Sequence, residues 1–217
     1  MFKKFREPVS GLTHLAGALA SVVGLIILVI LSVFNKTSPW HISAFSIFGA
    51  SLILLYTASS VYHLTPGSEK LIKILRRIDH SMIYVLIAGS YTPICLVALR
   101  GVWGWSIFAT IWSLALIGII VKNFWFNAPR WLSTSFYLLM GWLAVIAVYP
   151  MSKVIPTGGM LWLFIGGIAY TIGGVIYGTK WPNIKFKHFG FHEIFHLFTL
   201  AGSFCHYWLM VRYVLYI

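Results

Sequence analysis

The fold of this chain is decided by stretches such as residues 13–34, which read THLAGALASVVGLIILVILSVF and contain no charged side chain. An α-helix needs about 20 apolar residues to cross the hydrocarbon layer of a membrane. Basic residues precede this stretch, as they do in a signal peptide, but it is longer than an h-region and no small-residue cleavage site follows it in residues 31–40. We therefore predict a retained membrane-spanning helix.

Six further apolar stretches of similar length follow along the chain. Hydrophobic residues make up 59% of the sequence and charged residues 9%, and the mean hydropathy is +0.87, values far from those of a soluble domain. The sequence thus predicts an all-α bundle of seven transmembrane helices in a single domain, residues 1–217. The predicted spans are approximately 13–34, 42–62, 81–99, 102–121, 132–149, 160–178 and 192–215.

The basic residues are distributed unequally between the two ends of the predicted helices. Twelve of the 16 lie at one end, namely Lys3, Lys4, Arg6, Lys70, Lys73, Arg76, Arg77, Lys122, Arg130, Lys180, Lys185 and Lys187. Because positively charged loops stay in the cytoplasm, we expect the N-terminus inside and the C-terminus outside. Topology and anionic lipid headgroups then explain the net charge of +12, and no nucleic-acid partner is needed. In residues 69–77, apolar residues alternate with charged ones, and this pattern predicts a short amphipathic helix on the inner membrane surface.

Histidines cluster at this predicted cytoplasmic end. The last span opens with His192-Glu193-Ile194-Phe195-His196, which puts two imidazoles one helical turn apart on a single helix face. The second span ends at His63, with Ser59 one turn earlier, and the third begins near Asp79. Ionisable groups are expensive inside a membrane unless they serve a site. We therefore expect these side chains to lie close together.

Three imidazoles are typical ligands of a catalytic zinc ion. With His63, His192 and His196 as ligands, the fourth tetrahedral position stays open for water, whose pKa zinc lowers to about 7. Asp79 is then a candidate to orient or deprotonate that water, or to support a ligand imidazole. Ser59 is a candidate to hold an oxyanion or to position the substrate. The expected cofactor is Zn²⁺, and the expected catalytic residues are Asp79 and Ser59.

Each of these residues also has a plainer interpretation. Histidines at a helix start can simply lie at the membrane interface. Asp79 can cap the third helix or pair with Arg76 or Arg77, and Ser59 can pack between helices. His14, just inside the first span, can face a substrate or make a hydrogen bond in helix packing.

Glu193 raises a further alternative, because His-Glu-x-x-His on a helix is also the zincin signature. Metalloproteases usually take a further ligand from downstream, whereas only 21 residues follow His196 and none of them is acidic. Glu193 can instead favour the positive N-terminus of its helix. An intramembrane metalloprotease is therefore a minor alternative.

Taken together, these features resemble the progestin and adipoQ receptor superfamily, and most closely its bacterial haemolysin III branch. The resemblance covers nearly the whole chain and rests on the seven spans with an inside N-terminus. Its motifs are Glu7-Pro8, Thr13-His14, Ser59-x-x-x-His63, Arg77-Ile78-Asp79-His80, Tyr91-Thr92-Pro93 and His192-Glu193-Ile194-Phe195-His196.

The resemblance implies several functions. In the superfamily the three histidines bind zinc. The resemblance to adiponectin receptors and the related alkaline ceramidases implies an enzyme that hydrolyses an amide bond in a sphingolipid-like substrate. The bacterial branch is linked by name to cell lysis and, in some members, to lipid homeostasis. We therefore expect a zinc-dependent, ceramidase-like membrane hydrolase of a lipid amide or acyl bond, acting at the cytoplasmic side.

Two other functions stay open. One is a non-catalytic, receptor-like sensor with a structural zinc, and the other is a membrane-lysing protein of the haemolysin type. A secreted lysin needs a soluble state, which seven apolar spans do not allow. The expected partners are membrane lipids and a lipid-like substrate, and the expected location is the bacterial plasma membrane, as a multi-pass protein. The sequence does not indicate an oligomeric state.

Overall fold

The computed structural model describes residues 5–125, 128–184, 186 and 189–217. Within them, seven helices are long and apolar enough to cross a membrane, which confirms the predicted all-α, seven-helix fold. Numbered span 1 to span 7, they run Pro8–Phe34, Pro39–Leu64, Glu69–Ala98, Val102–Phe124, Arg130–Ser152, Thr157–Thr179 and Phe191–Tyr216. The residues Lys3, Lys4, Lys185 and Lys187, which contribute to the predicted orientation, lie outside the described residues.

Span 3 begins earlier than its apolar pattern predicts. Its helix starts at Glu69, where the side-chain oxygen of Ser68 caps it by accepting a hydrogen bond from the backbone N–H of Leu71 at 3.4 Å. No helix breaker separates residues 69–77 from the apolar part, so the backbone continues as one helix. The prediction of a separate surface helix was therefore wrong, and Asp79 lies inside span 3 rather than at its N-cap.

Spans 2 and 3 form the centre of the bundle. Span 2 packs between spans 1 and 3, and its side chains Phe45, Phe48 and Tyr56 are fully buried. A Cβ atom added to Gly89 of span 3 would lie 2.2 Å from Oγ of Ser51, so these two helices meet at a distance that only glycine allows. Span 7 packs against spans 6 and 1, which brings its first turn to the same end of the bundle as the last turn of span 2.

Two spans depart from regular α-helix, span 3 at its C-terminal end and span 5 just past its middle. In span 3 the helix reaches Pro93 and continues as a π-helical stretch over Ile94–Ala98. In span 5 the α-helix ends at Trp142, and a 3₁₀ stretch, Leu143–Ala147, joins it to a short final helix. Proline removes a backbone donor from span 3, which accounts for the first irregularity.

The hydroxyl group of Tyr91 forms hydrogen bonds with backbone groups of span 5 where its α-helix is interrupted. It donates toward the carbonyl oxygens of Met140 and Gly141, at 2.8 and 2.6 Å, and accepts a hydrogen bond from the N–H of Ala144 at 2.8 Å. Unpaired backbone groups are costly at membrane depth, so a neighbouring span must satisfy them. The Tyr91-Thr92-Pro93 segment thus supports the interruption of span 5.

Candidate metal centre

Three histidines meet at the predicted cytoplasmic end of the bundle. His63 is the penultimate residue of the span 2 helix, and His192 and His196 lie in the first two turns of span 7. The side chains of His63 and His196 are buried, and that of His192 is partly buried. Histidine, cysteine, aspartate and glutamate are the usual metal ligands. Among the described residues, these three histidines form the group of such side chains that could hold one metal ion.

The spacing of the three imidazoles fits one tetrahedral metal ion. One ring nitrogen from each of them lies within 4.8 Å of the other two. The Nε2 atoms of His63 and His192 are 3.2 Å apart. Two imidazole nitrogens bound to zinc at about 2.0–2.1 Å in tetrahedral geometry would be roughly 3.3 Å apart. The three histidines therefore form a group that could hold a metal ion, and the pair formed by His63 and His192 has the spacing of two ligands of zinc.

The start of span 1 contacts two of the candidate ligand rings, through its N-cap residue Glu7 and through Ser10 in its first turn. Nδ1 of His63 hydrogen-bonds to the carboxylate of Glu7, and Nδ1 of His196 lies 3.3 Å from the backbone carbonyl oxygen of Ser10. Each of these bonds fixes the proton on Nδ1 and leaves the lone pair of Nε2 free for a metal. This supporting arrangement is typical of zinc-binding histidines.

Glu7 was not singled out as a site residue from the sequence. Burial alone would raise the pKa of Glu7, but the hydrogen bond with His63 and the positive charge of Arg6 outweigh it and hold the pKa below its ordinary value. The carboxylate is thus ionised and accepts the proton of Nδ1. One signal in the sequence could have pointed to Glu7. Acidic residues are scarce in this chain, which contains only four of them.

We expect Glu7→Gln to weaken zinc binding about 10- to 100-fold while the three histidines stay intact, because outer-shell partners of ligand histidines contribute that much to metal affinity. The zinc dissociation constant can be measured by competition with a chromogenic chelator. Glu69→Gln is the matched control, since Glu69 lies on the surface and its carboxylate is 4.0 Å from Nζ of Lys73. Equal zinc affinity in both variants would contradict the supporting role of Glu7.

The two predicted catalytic residues line the same cavity as His192 and His196. Ser59 lies one turn before His63 on span 2, and Asp79 lies on span 3, and both are buried. One carboxylate oxygen of Asp79 is 3.4 Å from Nδ1 of His80. A carboxylate and a hydroxyl group therefore accompany the histidines at this end of the bundle.

Glu193 has a structural role at the start of span 7. Its Oε2 accepts a hydrogen bond from the backbone N–H of Gly190 at 2.7 Å, and its Oε1 accepts one from the hydroxyl of Ser10 at 2.5 Å. These bonds cap the helix and tie span 7 to span 1. Because both oxygens are engaged, Glu193 does not occupy the position of a zincin general base.

A deep apolar cavity leads away from the histidines into the bundle. His196 lies at one end of it and His206 further along span 7, ten residues or about 15 Å away. Its wall is largely aliphatic and aromatic, and includes Leu55, Ile83, Leu86, Ile87, Ile94, Leu99, Ile107, Leu138, Val145, Val148, Met151, Leu163, Phe164 and Phe195. The cavity is thus apolar along most of its length and has the polar side chains of the histidine cluster, Asp79 and Ser59 at one end.

Comparisons with known proteins show the family of this chain. A family model described as haemolysin-III related matches residues 2–207. The chain is 43% identical over 203 residues to the Hemolysin-3 homolog of Bacillus subtilis (strain 168), an alignment that covers 94% of this chain and 92% of that protein. It is 40% identical over 211 residues to Hemolysin-3 of Bacillus cereus, covering 96% and 92% of the two chains.

A more distant relative is a plant protein. The chain is 26% identical over 200 residues to Heptahelical transmembrane protein 4 of Arabidopsis thaliana, covering 81% of this chain and 49% of that protein. With its seven spans and its bacterial relatives, the chain is a multi-pass protein of a bacterial membrane. It belongs to the haemolysin III-related family, the bacterial branch of the progestin and adipoQ receptor superfamily.

Proposed function

We propose that this protein is a zinc-dependent membrane hydrolase that cleaves an acyl-amide or related bond of a lipid at the cytoplasmic side, and thereby adjusts membrane lipid composition. The observation that carries the proposal is the position of the histidine cluster, beside Asp79 and Ser59, at one end of an apolar cavity. An open three-histidine site suits catalysis, and the cavity suits an acyl chain.

Each polar residue beside the histidines has a role in the proposed reaction. When bound, zinc supplies Lewis acidity that makes water reactive near neutral pH. A carboxylate oxygen of Asp79 takes the proton of the attacking water and returns it to the nitrogen of the leaving group as the amide C–N bond breaks. The hydroxyl of Ser59 donates a hydrogen bond to the substrate carbonyl oxygen, where negative charge develops. The products are a fatty acid and an amine.

The proposal is tested by measuring release of fatty acid from purified, zinc-loaded protein in bicelles. Matched substrates carry one acyl chain through an amide bond or through an ester bond. We expect release that stops when a chelator removes zinc and returns when zinc is restored. Ser59→Ala should slow release about 10-fold or more, while Ser60→Ala, its buried neighbour that does not line the cavity, should not. Zinc-loaded protein that releases no fatty acid from either class would contradict the proposal and favour the sensor.

The relatives named hemolysin raise lysis as the other candidate. If the protein lyses membranes, purified protein should release dye from liposomes without hydrolysing their lipids. Leakage without fatty acid would favour lysis over hydrolysis, and fatty acid without leakage would favour hydrolysis. A metalloprotease is not supported, because Glu193 caps its helix.

We also propose that lipid reaches the cavity through its wall at the interrupted span 5. Gly141, Trp142 and Val145 all line the cavity and are exposed at the same time. Gly167, on span 6, also lines it, and a Cβ atom added to Gly141 or Gly167 would meet no atom within 4 Å. An opening flanked by two glycines leaves room for a chain to enter from the membrane.

A hydrogen bond crosses this proposed opening. The indole N–H of Trp142 donates to Oγ1 of Thr171 at 2.9 Å, which joins spans 5 and 6, and both residues line the cavity. The bond joins two neutral groups, and such a hydrogen bond typically contributes about 1 kcal/mol to stability. It can therefore open and close at little cost as a lipid passes.

We expect Gly167→Trp to obstruct this opening and to lower the turnover of long-chain lipid about 10-fold or more, with zinc still bound. Ile168→Trp is the matched control, because Ile168 is exposed on the same helix and does not line the cavity. Turnover and zinc content are measured for both variants. If both turn over long-chain lipid like the wild type, entry at this position is excluded.

A further inference from the structure

A fourth imidazole, from His14 of span 1, lies against the histidine cluster without belonging to it. Its ring stacks on that of His196, with centroids 3.5 Å apart and planes 7° from parallel, and it meets the ring of Tyr56 edge to face at 5.0 Å. The side chain is buried, with 3% of its surface exposed, and lines the cavity with Ser59 and Asp79.

The stacking excludes His14 as a ligand of the same ion. An imidazole binds a metal in its own ring plane, at about 2.0–2.1 Å. An ion in the plane of the His196 ring is roughly 3.5 Å from the parallel plane of His14, because that is the separation of the two rings. His14 cannot then approach to bonding distance while the rings stay stacked.

Helix packing does not supply ordinary hydrogen-bond partners for the two ring nitrogens of His14 either. Both Nδ1 and Nε2 are buried, and among the described residues neither makes a hydrogen bond of ordinary distance and angle, although the backbone of His196 is also near the ring. A neutral imidazole carries one donor and one acceptor, and leaving both unpaired away from water is costly. Buried polar groups without partners are rare, and such a group at a cavity beside a candidate active site calls for a ligand.

We propose that His14 hydrogen-bonds the polar head of the lipid substrate beside the metal centre. An amide group offers both an acceptor, its carbonyl oxygen, and a donor, its N–H, whereas an ester offers acceptors alone. The donor and acceptor of His14 therefore match an amide lipid better than an ester lipid. This inference rests on the proposed function, and makes His14 a residue that selects the substrate class.

The test compares three variants. His14→Phe keeps an aromatic ring for stacking on His196 and removes both nitrogens, and His14→Gln keeps a donor and an acceptor. The control is His206→Phe, which replaces another cavity-lining histidine, one whose Nε2 lies 3.4 Å from the carbonyl oxygen of Leu163. Zinc content, melting temperature without lipid, and binding of a fluorescent N-acyl lipid and its ester analogue are measured for each.

We expect all three variants to keep zinc at the wild-type level. His14→Phe should raise the melting temperature by about 3 °C, because it removes unpaired polar groups from a buried position. It should weaken binding of the amide lipid about 10-fold and that of the ester less, and His14→Gln should restore part of the difference. His206→Phe, in which His14 is intact, should not weaken binding of the amide lipid more than that of the ester.

Three results would overturn the proposal. Loss of zinc in His14→Phe would make His14 part of the metal centre. A fall in its melting temperature would make His14 a packing residue, and amide binding equal to that of wild type would exclude contact with the substrate. Binding and melting do not require turnover, so wild-type protein that binds amide lipid but fails to hydrolyse it would contradict the proposed hydrolase and leave the role of His14 supported. Wild-type protein that binds no amide lipid would contradict both.

Discussion

Asp79→Asn is expected to lower lipid turnover by about 10²- to 10⁴-fold while zinc stays bound. Asparagine has nearly the size of aspartate but cannot accept a proton at neutral pH. Asp79 lines the cavity with His192 and His196, and is not one of the three candidate ligands. Proton transfer should therefore be lost and metal binding kept.

The matched measurement uses initial rates of fatty-acid release and zinc content on the same preparations. Glu69→Gln is the control, because its carboxylate lies at the surface. If Asp79→Asn loses zinc together with activity, Asp79 supports the metal rather than the proton transfer. If it keeps full activity, Asp79 has no part in the reaction.

The second large effect is stabilisation by zinc. The candidate ligands come from spans 2 and 7, which the hydroxyl of Tyr56 already links deeper in the bundle through Ser203 and the carbonyl oxygen of Thr199, so an ion bound by all three histidines would add a second link at the end of these helices. A ligand that binds only the folded state at 100 times its dissociation constant stabilises by about 2.7 kcal/mol. For a chain of this size that corresponds to a rise in melting temperature of about 5–10 °C.

His63→Ala should lose this zinc-dependent rise, because two imidazoles hold zinc far more weakly than three. His206→Ala, which removes a cavity histidine outside the cluster, should keep it. Melting curves in detergent, with chelator and with stepwise added zinc, make the comparison. A wild-type melting temperature that does not respond to zinc would contradict an ion that bridges spans 2 and 7.

Much of the candidate site could be predicted from the sequence because its signals are local. The helical repeat puts His192 and His196 on one face, and the alternation of spans brings His63 to the same end of the bundle. Both arguments need only the apolar pattern and the length of a span. The structure brings the three side chains together as expected.

Other features depend on contacts between distant parts of the chain. Glu7 is 56 residues from its partner His63, and Ser10 is 186 residues from His196. No short-range pattern marks such pairs. The interruption of span 5 is equally hidden, because its apolar residues suit an α-helix, and the tertiary hydrogen bonds of Tyr91 are what satisfy the 3₁₀ stretch.

The start of span 3 shows that hydropathy alone does not predict where a helix begins. The pattern marks where the chain becomes apolar, near Ser81, whereas the helix begins at Glu69, because charged residues are as compatible with an α-helix as apolar ones. Asp79 is consequently a buried residue inside the helix rather than its cap. This position makes it more suitable as a site residue than its sequence context indicates.

The measurement that tests the account most directly is the zinc content of purified, chelator-washed protein. Elemental analysis is carried out on the wild type beside His63→Ala and His192→Ala, each exchanged into fresh detergent and checked for folding. About one zinc per chain in the wild type, and little in either variant, is the result that the three-histidine centre predicts. A folded wild type that contains no zinc and takes none up would contradict it, and would leave these histidines as packing residues of the membrane interface.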